Sequence, residues 1–115
     1  MGVSYIDKVL DATEHTESQT DIHIQSEVDR VYRSIPQDTT TIKANGSPYI
    51  DVVRDNLSDT VVWNPWIAKS KTMSDFEPKD GYKNMVCVEV GTVNGFQKLE
   101  PGETFEAGMI AKAHH

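Results

Sequence analysis

Apolar residues fall at every second position through most of this chain, and that spacing constrains the fold before any other feature does. Ile22 and Ile24 alternate with Asp21, His23 and Gln25, and Val86, Val88 and Val90 alternate with Cys87 and Glu89. Successive side chains of a strand point to opposite faces, so period two offers one face for burial, whereas a helix needs spacings of three and four. Few windows of eleven or more residues meet the helical spacing, and the chain reads as all-β. Expected strands are 21–25, 29–34, 39–44, 49–54, 60–64, 85–90, 96–99 and 104–112, a cadence that suits an antiparallel sandwich or barrel. Asn45-Gly46 is the strongest turn signal, because both residues tolerate the positive φ of a type I′ hairpin turn. Pro101-Gly102 marks a second turn.

With 115 residues the chain forms one domain, 1–115. Residues 11–20 are polar with three acidic groups and read as a solvated loop, while 65–75 can hold one helical turn with Pro65 at its first position. No repeat, low-complexity tract or linker interrupts the chain. His114-His115 ends it, and 113–115 reads as a tag remnant or disordered tail outside the fold.

Charge removes several functional classes. Eleven basic against 18 acidic residues leave a formal charge of −7, and the longest basic cluster is Lys69-Ser70-Lys71, too small to neutralise a phosphate backbone. Nucleic acid and an anionic membrane surface are therefore not expected partners. No apolar run approaches the ~18 residues of a spanning helix, and the start lacks a secretory pattern, so a cytoplasmic location is expected. The single cysteine, Cys87, excludes an internal disulfide and a cysteine-based zinc site. None of His15, His23, His114 and His115 is spaced with a second ligand on a helix, and neither a metal nor an organic cofactor is expected. Asn45-Gly46-Ser47 and Asn56-Leu57-Ser58 match the glycosylation sequon, which a cytoplasmic chain does not use.

Two carboxylates invite a chemical reading. Glu89 interrupts the apolar run 85–91; buried there it would hold its proton toward neutral pH, as a general base requires, whereas simple alternation turns it outward with Cys87. The local pattern favours alternation. Asp29, beside Arg30, opens a strand where a carboxylate can accept a ligand hydroxyl, or the two are solvated charges. Trp63 and Trp66 supply aromatic faces of the kind found in sugar sites, although core packing is the commoner use.

Longer strings carry more. Ser4-Tyr5-Ile6-Asp7-Lys8, Glu27-Val28-Asp29-Arg30-Val31-Tyr32, Arg54-Asp55-Asn56-Leu57, Asp59-Thr60-Val61-Val62-Trp63-Asn64-Pro65-Trp66, Met73-Ser74-Asp75-Phe76, Gly81-Tyr82-Lys83-Asn84-Met85-Val86-Cys87-Val88-Glu89 and Leu99-Glu100-Pro101-Gly102-Glu103 closely resemble, in this order, the C-terminal part of the glucose-6-phosphate 1-epimerases. These are the hexose-6-phosphate mutarotases of the aldose 1-epimerase superfamily. The resemblance implies a large antiparallel β-sandwich of the galactose-mutarotase-like type, of which this chain is the C-terminal part. Family members are more than twice this length. By resemblance Glu89 matches the general base and Asp29 the acidic residue that binds sugar hydroxyls. The phosphate-holding arginines and the general-acid histidine lie upstream of the matched portion.

The implied reaction interconverts the α and β anomers of glucose 6-phosphate: a glutamate takes the C1 hydroxyl proton, a histidine protonates the ring oxygen, and the ring opens, rotates and recloses. The isolated chain is then expected to be nearly inactive, and to self-associate through exposed strand edges. A competing expectation is a non-catalytic module that binds carbohydrate or a protein, with Trp63 and Trp66 exposed as a platform.

Overall fold

The computed structural model describes residues 2–115. Eight strands form: β1 (Ser4–Asp7), β2 (Thr13–Thr16), β3 (Val28–Tyr32), β4 (Thr39–Ala44), β5 (Ser47–Asp55), β6 (Asp59–Asn64), β7 (Cys87–Gly91) and β8 (Gly108–Ala113). A short helix, α1 (Trp66–Thr72), and a 3₁₀ turn, Gly81–Asn84, lie between β6 and β7. The strands make two antiparallel sheets, one ordered β2-β1-β3-β6-β7 and the other β4-β5-β8. The all-β reading is met.

The hairpin of β4 and β5 turns where its sequence says it must. Ala44 pairs with Ser47, and Asn45 and Gly46 sit at φ 52° and 79°, the left-handed pair that matches the twist of the flanking strands. β6 and β4 also lie where period two put them.

Two expected strands do not form. Residues 21–25 follow an irregular path in which Ile24 packs against the core while Ile22 stays exposed. Residues 96–99 are unpaired, with Phe96 fully exposed. Alternation reports which side chains can be buried, but a strand also needs a neighbouring backbone to bond, and neither segment has one. Conversely, the polar stretch 11–20 holds β2, a sheet edge bonded to β1 alone, which is why it needs no apolar face. Asp11 and Ala12, at φ 57° and 56°, turn the chain between β1 and β2. The last strand begins at Gly108 rather than at 104. Beyond Ala113, the His114 backbone N–H donates to the Tyr49 carbonyl at 2.9 Å and its Nε2 lies 3.0 Å from Asp51.

The buried core is small. Val28, Tyr32 and Val62 form its centre, with Val3, Tyr5, Ile24, Ile35 and Val86 packed around them. On the same sheet face Arg30 pairs with Asp7 at 3.3 Å and lies 4.8 Å above the Tyr5 ring, and its Nη1 donates to the Tyr32 hydroxyl, which in turn donates to Glu17 at 2.7 Å. Burial raises the Tyr32 phenol well above its ordinary pKa, so it serves as a fixed donor. Beside this core an open cavity of about 790 Å³ separates the sheets, lined by Val62, Val86 and Val88 on one side and Thr40 and Ile42 on the other.

Candidate functional site

Register places the site residues. In β3, β6 and β7, Asp29 pairs with Trp63 and Trp63 with Cys87; one row along, Val31 pairs with Val61 and Val61 with Glu89. Directly paired residues project to the same side of a sheet. Asp29, Trp63, Cys87 and Glu89 therefore share one face, while Tyr32, Thr60, Val62 and Val88 line the cavity behind it. Asp29 and Glu89 are two strand spacings apart across the sheet and one row apart along it, roughly 12 Å between backbone positions, with Trp63 in the row of Asp29.

Alternation accounts for Glu89: it is exposed, between half-buried Val88 and Val90. Asp29 and Trp63 are half-buried. Cys87 is also half-buried; burial, and secondarily the charge of Glu89 beside it, pushes its thiol pKa up and keeps it protonated. Among the described residues no hydrogen bond or ion pair occupies either carboxylate; of Asp29 only the backbone is engaged, its carbonyl accepting from Lys8 N–H at 2.8 Å. Two acceptors on one face, free of internal partners, can meet the hydroxyls of a polyol.

The end of the sheet nearest Asp29 is fixed by a residue that local sequence reading passes over. Val28 pairs with Asn64, and Asn64 is 1% exposed. Its Nδ2 donates to the Tyr82 carbonyl at 2.9 Å and the Met85 carbonyl at 3.0 Å, and its Oδ1 accepts from the Trp66 N–H at 2.9 Å. One side-chain amide thus ties β6, the start of α1 and the 3₁₀ turn together. Trp66 sits at φ 58°, unusual for a bulky residue, and its ring packs on Tyr82 with centroids 5.0 Å apart. The helix begins at Trp66, so Pro65 precedes it rather than occupying its first position. Asn-Pro is a dipeptide that favours turns in general; here the tertiary contacts make it a clamp.

The histidines lie elsewhere. His15 pairs with Tyr5 and stacks on it at 5.4 Å, on the Arg30 side of the sheet. His23 borders the inter-sheet cavity, and His114 bonds Asp51 on β5. Among the described residues no group of three or more histidine, cysteine, aspartate or glutamate side chains is arranged to hold a metal ion. Likewise no helix among them is long and apolar enough to cross a membrane.

The aldose 1-epimerase family model matches residues 3–112. A relative from Cenchrus ciliaris is 38% identical over 109 residues, covering 95% of this chain and 32% of the relative. One from Escherichia coli K12 is 34% identical, covering 97% of this chain and 39% of the relative. A third, from Salmonella typhimurium, is 38% identical over 89 residues, covering 77% of this chain and 30% of the relative. All three bear the name "Putative glucose-6-phosphate 1-epimerase". The chain spans about a third of the length of these relatives.

Proposed function

The chain belongs to the aldose 1-epimerase family, and from that membership we propose that it is part of a mutarotase that interconverts the anomers of a hexose 6-phosphate, glucose 6-phosphate first among them. Glu89 is the general base that takes the C1 hydroxyl proton, and Asp29 accepts neighbouring sugar hydroxyls. The observation that carries the reading is the shared face: both carboxylates project from one side of the sheet with the Trp63 ring in the row of Asp29, so a pyranose laid against that ring meets both. Proton transfer needs the base within hydrogen-bond reach of the hydroxyl, and a paired strand holds that position better than a loop. Glu89 is exposed and its carboxylate is engaged by no hydrogen bond among the described residues, so a substrate hydroxyl can reach it.

No histidine is placed on the Glu89 face by the register and contacts above, so the acid that protonates the ring oxygen comes from outside the described elements. Phosphate recognition is assigned to the same outside portion, and a chemistry made only of proton transfers asks for no cofactor. The reading as a non-catalytic binding module requires both tryptophans free in solvent; they are half-buried, and Trp66 is packed on Tyr82.

Polarimetry of glucose 6-phosphate mutarotation tests the proposal. The chain alone is expected to stay near the spontaneous rate. Mixed with the preceding portion of the Escherichia coli relative it should accelerate the reaction, and Glu89→Gln should remove ~10² to 10⁴ of that acceleration. Acceleration by the mixture that survives Glu89→Gln would overturn the assignment.

A further inference from the structure

Arg54 is the one arginine of this chain held without a carboxylate among the described residues. Arg30 pairs with Asp7 and Glu17, and Arg33 with Glu14 at 2.8 Å. Arg54 lies in β5 and is 7% exposed. Its Nη1 donates to the Leu57 carbonyl at 2.7 Å, its Nη2 donates more weakly to the Ile35 carbonyl at 3.3 Å, and its Nε is buried with no partner. A buried guanidinium satisfied by neutral carbonyls, with no carboxylate in ion-pair contact, carries a charge whose burial costs free energy unless an anion completes it.

Beside Arg54 opens a cavity of about 310 Å³ lined by the hydrogen-bonding residues Gln37, Asn56, Ser58, Thr92 and Gln97, of which Asn56 Nδ2 also donates to the Glu106 carbonyl at 2.8 Å and Gln97 Nε2 to the Lys98 carbonyl at 3.4 Å. Asp38 also lines it; its carboxylate accepts from the Thr39 hydroxyl at 2.9 Å and makes no ion pair with Arg54. The cavity sits where β5 and β7 end and β6 begins, and includes neither Asp29 nor Glu89. We propose that this cavity is a second ligand site, taking a small phosphate-class oxyanion, with Arg54 supplying the charge and Gln37, Thr92 and the second N–H of the Asn56 and Gln97 amides the remaining donors. A hydrogen bond between a guanidinium N–H and an oxyanion is charge-assisted, the stronger kind. Asp38 restricts the ligand to one that places its anionic group on the Arg54 side and a hydroxyl, which can donate to the carboxylate, on the other.

The test uses the full chain and inorganic phosphate, read by amide chemical shifts in a two-dimensional NMR titration at constant ionic strength. Saturable shifts confined to residues around 37, 54–58, 92 and 97 are expected. Thr92→Glu places a like charge in the wall while leaving the buried Arg54 in place, and should weaken phosphate binding by about tenfold or more. Glu89→Gln should leave it unchanged, so that failure here and failure of the mutarotase reading are separable. Acetate as a planar competitor should bind more weakly. Shifts that do not saturate, that scatter over the surface lysines, or that persist undiminished in Thr92→Glu would overturn the proposal and leave Arg54 as a strut between the 35 and 57 carbonyls.

Discussion

Single side chains decide where the loops of this chain go, and two of them can be tested directly. Asp59, 2% exposed, accepts from the backbone N–H groups of Val93 and Asn94, both at 2.9 Å, and of Ser34 at 3.1 Å. Burial alone would raise its pKa, but the Asn94, Ser34 and Val93 donors together outweigh it and hold the carboxyl below its ordinary value of 3.8. A group whose folded pKa is lowered adds stability that is present above the unfolded pKa and lost as pH falls through the folded one. Urea denaturation should therefore show stability falling as pH drops below about 4, and Asp59→Asn should flatten that part of the acid-side dependence. At neutral pH the same variant should be less stable by about 1–3 kcal/mol, because an amide replaces one charged acceptor of several N–H groups. Asn64 makes the parallel case for a neutral group. Asn64→Ala strands the Tyr82 and Met85 carbonyls and the Trp66 N–H, and should lower unfolding free energy by about 1–3 kcal/mol. Because Trp66 loses its tether at φ 58°, near-ultraviolet circular dichroism should also report a loosened Trp66–Tyr82 pair. Nothing in the local pattern singled out Asp59 or Asn64, since most of their partners are 18 to 35 positions away.

At the scale of elements, strands with strong local signals are the ones the sequence alone reveals. The β4–β5 hairpin is determined by Asn45-Gly46, and the prediction follows from its geometry. A Cβ at Gly46 meets nothing within 4 Å, so Gly46→Ala tests backbone conformation alone and should cost about 1–2 kcal/mol. Gly108, at the start of β8, is equally open and lacks a left-handed φ; Gly108→Ala should be neutral or slightly stabilising by thermal denaturation. β2 shows the opposite limit. Its residues Thr13, Glu14, His15 and Thr16 bury little, and their pairing with β1 is driven by backbone hydrogen bonds that no hydropathy pattern records. Residues 21–25 carry the pattern without the pairing, because two isoleucines suffice for alternation but one buried side chain can be supplied by an irregular segment that bonds no neighbour.

The molecule as a whole is open for its length. Its radius of gyration is 15.5 Å, against about 13 Å for a compact domain of this size. An open space lies between the sheets, and β2 and β7 in one sheet and β4 and β8 in the other each leave one edge unpaired. Phe96, Leu99, Met109 and Ile110 are exposed besides. Unpaired edges and apolar surface favour association. Sedimentation velocity at micromolar concentration is expected to show species larger than a monomer, and a single compact monomer would refute that.

The sequence by itself determined the all-β class, the hairpin turn, and the strings through which the chain is similar to the aldose 1-epimerases. These are local matters, set by side-chain alternation, by residues that tolerate positive φ, and by the identity of neighbouring residues. Tertiary structure decided which strands pair, and hence that Asp29, Trp63 and Glu89 share a face while Arg54 closes a separate cavity. Cross-strand register depends on backbone bonds between residues tens of positions apart. A one-residue slip would send Glu89 to the opposite face without changing a letter of the sequence.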